Sequence, residues 1–152
     1  SKKAVAQAFE NRDLCGMQSA PIRFITDDAT GFVDRELRRQ KRYGGIILDP
    51  PKYGRGPKGE FWRIENDLTP LLQKCRQLLS EDALFMVLTI YAIRASSLAA
   101  HYALADLFEN QRGYLESGEL AIQEVPLKTG RTDLLRYLAQ ANFARWCSDI
   151  AA

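Results

Sequence analysis

Gly45-Ile46-Ile47-Leu48-Asp49-Pro50-Pro51-Lys52-Tyr53 says more about architecture than any other stretch of the chain. Ile46–Leu48 is wholly apolar and does not alternate, which is the signature of a strand covered on both faces. Asp49 follows it, and then two prolines that cannot continue a central ladder. The chain must therefore leave the sheet at Asp49. In open α/β sheets, ligands bind just beyond the carboxyl ends of strands, so the stretch also places a carboxylate where a ligand would sit. The rigid Pro50-Pro51 turn would fix backbone carbonyls beside it, suited to accept hydrogen bonds from a flat, amine-bearing ring.

Upstream, Ser1 can cap a helix with Val5, Ala8 and Phe9 on one side and Gly16 as its stop. Pro21 leads into an alternating strand, Ile22–Thr26, that ends at Asp27-Asp28. A helix over roughly Thr30 to Arg39, with Phe32, Val33 and Leu37 apolar, is broken by Gly44-Gly45. Downstream, Lys52–Gly59 reads as a glycine-rich loop. In the next helix Leu68, Leu71, Leu72, Cys75, Leu78 and Leu79 form a full core-facing stripe. Cys75 in that stripe reads as a buried structural thiol. Ala83–Thr89 is a second buried strand, and Ser96 or Ser97 caps a helix reaching to about Glu109. Gly113 and Gly118 bracket a turn. Leu120–Leu127 and Leu134–Trp146 are strands joined at Lys128–Arg131, an antiparallel hairpin. The order α-β-α-β-α-β-α-β-β predicts a three-layer α/β sandwich whose mostly parallel sheet closes on that hairpin.

The 152 residues fit one domain, 1–152. A 46% hydrophobic share supplies a core and argues against disorder. No apolar run nears the ~20 residues of a membrane span, so no membrane is expected as a partner. Ser1-Lys2-Lys3 runs straight into a helical pattern, so no signal peptide is expected and a cytoplasmic location is the default. Cys15, Cys75 and Cys147 are odd in number and lack a CxxC pair, which excludes a disulfide framework and a cysteine zinc site. With His101 the single histidine, a histidine-dependent metal site is not expected either.

The net charge of +2 is uneven. Arg35–Arg63 holds nine basic and three acidic residues, a balance of +6, and the remainder holds twelve and sixteen, a balance of −4. Such a segment either faces a polyanion or is a solvated helix face with basic loops.

Asp49-Pro50-Pro51-Lys52-Tyr53, after Gly45–Leu48, resembles the fourth motif of class I S-adenosylmethionine-dependent methyltransferases. The longer run to Glu60 is similar to a bacterial ribosomal RNA large-subunit methyltransferase-like branch. Ser1–Val5 resembles the segment after the second motif in that branch, and Phe143-Ala144-Arg145-Trp146 its closing strand. The resemblance implies a Rossmann-like methyltransferase fold and S-adenosyl-L-methionine as cofactor. Asp28 would bind the adenine amino group, and Ala29 would meet the ring through its amide. Asp49, Pro50 and Pro51 would lie between donor and target, with Lys52 and Tyr53 flanking the target. Asp28 also reads as a helix cap, Tyr53 as a packing residue, Lys52 as a loop lysine and Trp62 as a helix-start anchor. Lys52, Arg55, Lys58 and Arg63 would contact RNA phosphates, and Tyr53 or Trp62 would stack on a displaced base.

The same resemblance marks what is missing. The family opens with a strand, a glycine-rich turn, a helix and a second strand ending in a ribose-binding carboxylate. Gly54-x-Gly56-x-x-Gly59 spells the turn but lies after the wrong strand. The chain thus corresponds to the C-terminal part of the catalytic domain, without the first β-α-β unit. By itself it is expected to bind the donor weakly and be inactive, and to expose a sheet edge that invites a homodimer. Thr89-Ile90-Tyr91-Ala92 holds no cysteine where carbon-5 pyrimidine enzymes commonly carry one, so a nitrogen or oxygen acceptor in RNA, ribosomal by the resemblance, is favoured. The alternative function is a non-catalytic RNA- or protein-binding domain on a degenerate methyltransferase fold, which labelled donor would distinguish.

Overall fold

The computed structural model describes residues 2–56, 59–91, 95–124 and 136–149. Its helices are α1 (Lys2–Leu14), α2 (Ala29–Arg38), α3 (Ile64–Leu78) and α4 (Ser97–Phe108). Its strands are β1 (Gly45–Leu48), β2 (Tyr53–Arg55), β3 (Phe61–Arg63), β4 (Phe85–Ile90), β5 (Tyr114–Gln123) and β6 (Tyr137–Cys147). The main sheet runs β1-β4-β6-β5, and β2 and β3 form a separate two-stranded ribbon. Strand β1 pairs parallel to β4, with Leu48 opposite Leu88. Strand β6 pairs antiparallel to both β4 and β5, so the expected closing hairpin is present.

One apolar cluster explains how these elements pack. Alternation along β4 turns Met86, Leu88 and Ile90 to one face, where all three are buried. Against them lie Leu71, Leu72, Cys75 and Leu78 of α3, Ala100, Leu104 and Phe108 of α4, and Val33 of α2. The predicted α3 stripe is therefore the centre of the core. Burial pushes the Cys75 thiol up to about 11, in line with a structural, unreactive role. Phe108 stacks on Trp146 with ring centroids 4.2 Å apart, and the Arg76 guanidinium lies 5.1 Å from the Phe108 ring centroid. Ser96 caps α4 as expected, its hydroxyl accepting from the amide of Leu98 at 3.2 Å.

Hydrogen bonds at the end of α2 and at Tyr43 fix the lead into β1. Helix α2 stops before the two glycines expected to break it. Gln40 takes a left-handed conformation (φ 54°), and Gln40 and Lys41 amides return to the Leu37 and Glu36 carbonyls at 2.9 and 3.0 Å. This is the paired bonding that ends many helices. The buried Glu36 carboxylate then accepts from the Tyr43 hydroxyl at 2.6 Å and from Arg39 at 3.1 Å. The Tyr43 bond holds that carboxyl below its ordinary value and raises the tyrosine in turn. Glu36 thus stabilises the fold above the carboxyl range and loses that effect as the pH falls through it.

Several details of the expected elements differ in the structure. Ile22–Thr26 alternates as a strand should, but it forms no strand and has no ladder partner among the described residues. A strand needs a neighbour for its backbone groups, and β1 stands across a gap of about 450 Å³ lined by Arg23, Ile25, Ile46 and Ile47. For the same reason β1 is an edge strand, and Ile47, read as covered on both faces, is 70% exposed. The parallel part of the sheet is β1 with β4 alone. Helices α2, α3 and α4 join one core layer, whereas α1 has no buried residue and touches the rest through contacts such as Phe9 on Phe24. The Lys52–Gly59 loop contains β2. Gly118 lies inside β5 rather than at a turn, opposite Phe143, whose ring would meet an added Cβ at 3.3 Å. The capping role of Ser1, the turn at Lys128–Arg131 and the ends at Leu127 and Leu134 fall outside the described residues. No helix among the described residues is long and apolar enough to cross a membrane.

Candidate active site

Asp49 lies where β1 ends, and Asp28 where α2 begins. Both line one cleft of about 880 Å³, together with Ala29, Leu48, Pro50, Pro51 and Trp62. The two carboxylates marked out by the sequence therefore face a shared space at the carboxyl edge of the sheet.

Asp28 serves as the cap of α2. Its Oδ2 accepts from the Gly31 amide at 2.7 Å, a bond that satisfies one open donor of the first turn. Gly31 keeps that approach clear, since a Cβ there would stand 3.2 Å from the same oxygen. The cap and cleft readings of Asp28 are thus compatible: one oxygen holds the helix, and the residue still borders the cleft. Ala29 is the first helical residue, exposed at the amide-rich end that favours electron-rich ligand groups. Asp27, beside them, pairs with Arg35.

Asp49 is exposed and oriented by its neighbour strand. The Thr89 hydroxyl donates to Asp49 Oδ1. The register explains the contact, because Leu48 faces Leu88 and the next residues meet at the strand ends. One carboxylate oxygen is thereby engaged and the other is left for the cleft. Sequence reasoning does not reach Thr89, and only knowledge of the β1–β4 register would find it. Thr89→Val keeps the shape and removes the donor. In the intact protein it is expected to lower kcat roughly tenfold with little change in KM, since a misdirected group loses positioning. Thr89→Ser should restore the rate, and an unchanged kcat for the valine variant would deny Thr89 this role.

The double-proline turn is clamped by the ribbon and by the first residue of α3. Trp62 donates its indole N–H to the Pro51 carbonyl at 2.7 Å, and the Ile64 amide donates to the Lys52 carbonyl at 3.0 Å. Trp62 is half-buried against the core and borders the cleft, so the anchor reading describes it, with a hydrogen bond added. Pro50 is buried and Pro51 exposed at the rim. Lys52 and Tyr53 do not line the cleft. Strand alternation turns Gly54 and Trp62 inward and sends Tyr53 and Phe61 outward, while Arg55 reaches the rim. Within the basic segment Arg35 and Arg39 are tied to Asp27 and Glu36. Arg55 and Arg63 stand on the ribbon instead, and Lys58 lies outside the described residues. No cysteine lines this cleft among the described residues: Cys75 is in the core, and Cys147 pairs with Phe85 at the opposite end of β4.

No family model and no curated protein matches the chain. A crystal structure of an S-adenosylmethionine-dependent methyltransferase from Agrobacterium tumefaciens is 44% identical, covers 97% of this chain and has a TM-score of 0.86. The match occupies 46% of that protein, so the chain spans about half the length of its relative. A methyltransferase-class protein complexed with S-adenosylhomocysteine is 18% identical, with a TM-score of 0.64 over 96% of this chain and 37% of its own. A precorrin-8w decarboxylase from Methanobacterium thermoautotrophicum is 11% identical, with a TM-score of 0.59 over 97% of this chain and 65% of its own. These last two bear on the fold alone. Sharing that fold, and 44% identical to the A. tumefaciens protein over 97% of its own residues, the chain belongs to the class I S-adenosylmethionine-dependent methyltransferases.

Proposed function

We propose that the intact protein transfers a methyl group from S-adenosylmethionine to a nitrogen or oxygen of a base in RNA, ribosomal RNA being the first candidate. The observation that carries this reading is the single cleft shared by Asp28, Ala29 and the Asp49-Pro50-Pro51 turn. Its residues fit the adenine side of the donor. A helix-terminal amide and a carboxylate edge stand beside the apolar walls of Ile47 and Leu48. When bound, the donor supplies an electrophilic methyl on sulfonium.

The chain's own residues do the remaining work. Ala29 offers its amide, and Asp28 its uncommitted oxygen, to the adenine edge. Pro50 and Pro51, held by Trp62, give the target base a rigid wall. Asp49, oriented by Thr89, would accept a hydrogen bond from the acceptor's N–H or O–H and take that proton as the methyl's bond to sulfur is exchanged for one to the acceptor, with the donor leaving as neutral S-adenosylhomocysteine. Such placement of reactants is a large share of catalysis where one bond replaces another in line. The absence of a cleft cysteine among the described residues favours this direct route over a covalent base adduct.

Incubation of the intact protein with methyl-labelled donor and unmodified ribosomal RNA tests the proposal. Label is expected in RNA, on a base nitrogen or a ribose or base oxygen after nuclease digestion. Label on carbon 5 of a pyrimidine, in protein, or nowhere would overturn it.

A further inference from the structure

We propose that the outer face of the β2–β3 ribbon is a stacking platform for single-stranded RNA, built by Tyr53, Arg55, Phe61 and Arg63. The proposal deepens the RNA reading above and rests on it for the identity of the strand.

The register makes the platform. Tyr53 faces Arg63 across the ribbon, and Arg55 faces Phe61. Because successive residues of a strand point to opposite faces, these four share one side, while Gly54 and Trp62 take the other. The result is a checkerboard in which each aromatic ring has a guanidinium across the ribbon and another two residues along its own strand. Phe61 shows both contacts, with Arg63 at 5.3 Å and Arg55 at 5.7 Å from the ring centroid.

The exposure of this face is what calls for a partner. Tyr53 is 69% and Phe61 51% exposed. The ion pairs among the described residues involve Arg12, Arg35, Arg39, Lys74 and Arg145, and leave Arg55 and Arg63 out. Two open rings alternating with two positive charges suit a chain that itself alternates flat bases with phosphates. An acidic peptide would satisfy the charges but not the rings. A duplex would satisfy the charges too, but its bases are stacked on one another and hidden from the rings. Arg55 belongs both to the platform and to the lining of the cleft, so a strand held on the platform reaches the cleft rim.

The test uses the intact protein without donor, so it does not depend on methyl transfer. Fluorescence anisotropy would follow binding of a labelled, unstructured 12-nucleotide RNA and of the same sequence as a duplex. Phe61→Leu is expected to weaken single-strand binding about tenfold, in the range measured for base–aromatic stacking, with its salt dependence kept. Phe61→Tyr should bind as the wild type does. Arg55→Gln with Arg63→Gln should reduce the slope of log affinity against log salt by about 1.4, near 0.7 per lost phosphate contact. These positions are exposed, and matched melting temperatures would verify the fold. A Phe61→Leu variant within twofold of wild type would overturn the platform, as would equal binding of the duplex, or competition by polyglutamate as strong as by RNA. If the platform binds RNA but no label is transferred, the proposed function fails and the platform stands. If Phe61→Leu methylates RNA with an unchanged KM, the reverse holds.

Discussion

Asp49→Ala in the intact protein should lower the rate of methyl transfer roughly 10²–10⁴-fold, the usual effect of removing a positioned proton acceptor, and leave the melting temperature almost unmoved. The asymmetry comes from where Asp49 sits. It ends a strand whose Ile46 and Leu48 pack on the core, yet its own side chain is exposed and its described partner is the Thr89 hydroxyl. Losing one exposed hydrogen bond costs about 1 kcal/mol or less. Asp49→Asn separates charge from shape. Its amide oxygen can still accept from Thr89, so a rate between wild type and alanine is expected. Initial rates with labelled donor, beside thermal melts of the three proteins, are the measurement. An alanine variant working at full rate would remove Asp49 from the chemistry.

Gly113→Ala should be among the most damaging single-methyl changes in the chain, at about 3 kcal/mol or more. Gly113 has φ of 139°, a backbone state that side chains rarely adopt, and such strain alone costs about 1–3 kcal/mol. The new Cβ would lie 2.3 Å from the Cys147 carbonyl oxygen and 2.7 Å from Trp146 Nε1. Neither neighbour yields easily. Cys147 is held in the ladder by Tyr114 and Phe85, and Trp146 is stacked on Phe108. Overpacking of this kind adds about 1–3 kcal/mol. Gly118→Ala, five residues along, is the control. It meets only the edge of the Phe143 ring at 3.3 Å, and its cost should stay below about 1 kcal/mol. Urea unfolding of both variants would show the contrast, and equal stabilities would refute the account of how β5 begins.

Local patterns made much of this legible, and non-local pairing accounts for the rest. The α3 stripe, the Ser96 cap and the Asp49-Pro50-Pro51 exit depend on neighbours within a few residues, so the sequence displays them directly. Asp28 is a similar case, because a cap needs only the next three residues. Ile22–Thr26 shows the limit: its alternation is real, but a strand is made by its partner and this segment has none among the described residues. The ribbon is hidden for another reason. Three-residue strands are too short for periodicity, so Tyr53 reads as a neighbour of the target whereas its register sends it outward. Thr89 reaches Asp49 across 40 positions of sequence, a contact no window along the chain contains.

The two tryptophans differ in a way that has an optical consequence. Trp62 is tied by its N–H to the Pro51 carbonyl at the lip of the cleft. Trp146 is stacked flat on Phe108, its buried ring nitrogen without a hydrogen-bond partner among the described residues. Indole emission shifts with polarity and hydrogen bonding, so the two should emit at different wavelengths. With Trp146 replaced by phenylalanine, the remaining signal would follow cleft occupancy. With Trp62 replaced, it would follow the loss of the core. The molecule thus carries separate built-in gauges of binding and of unfolding, and needs no attached dye for either.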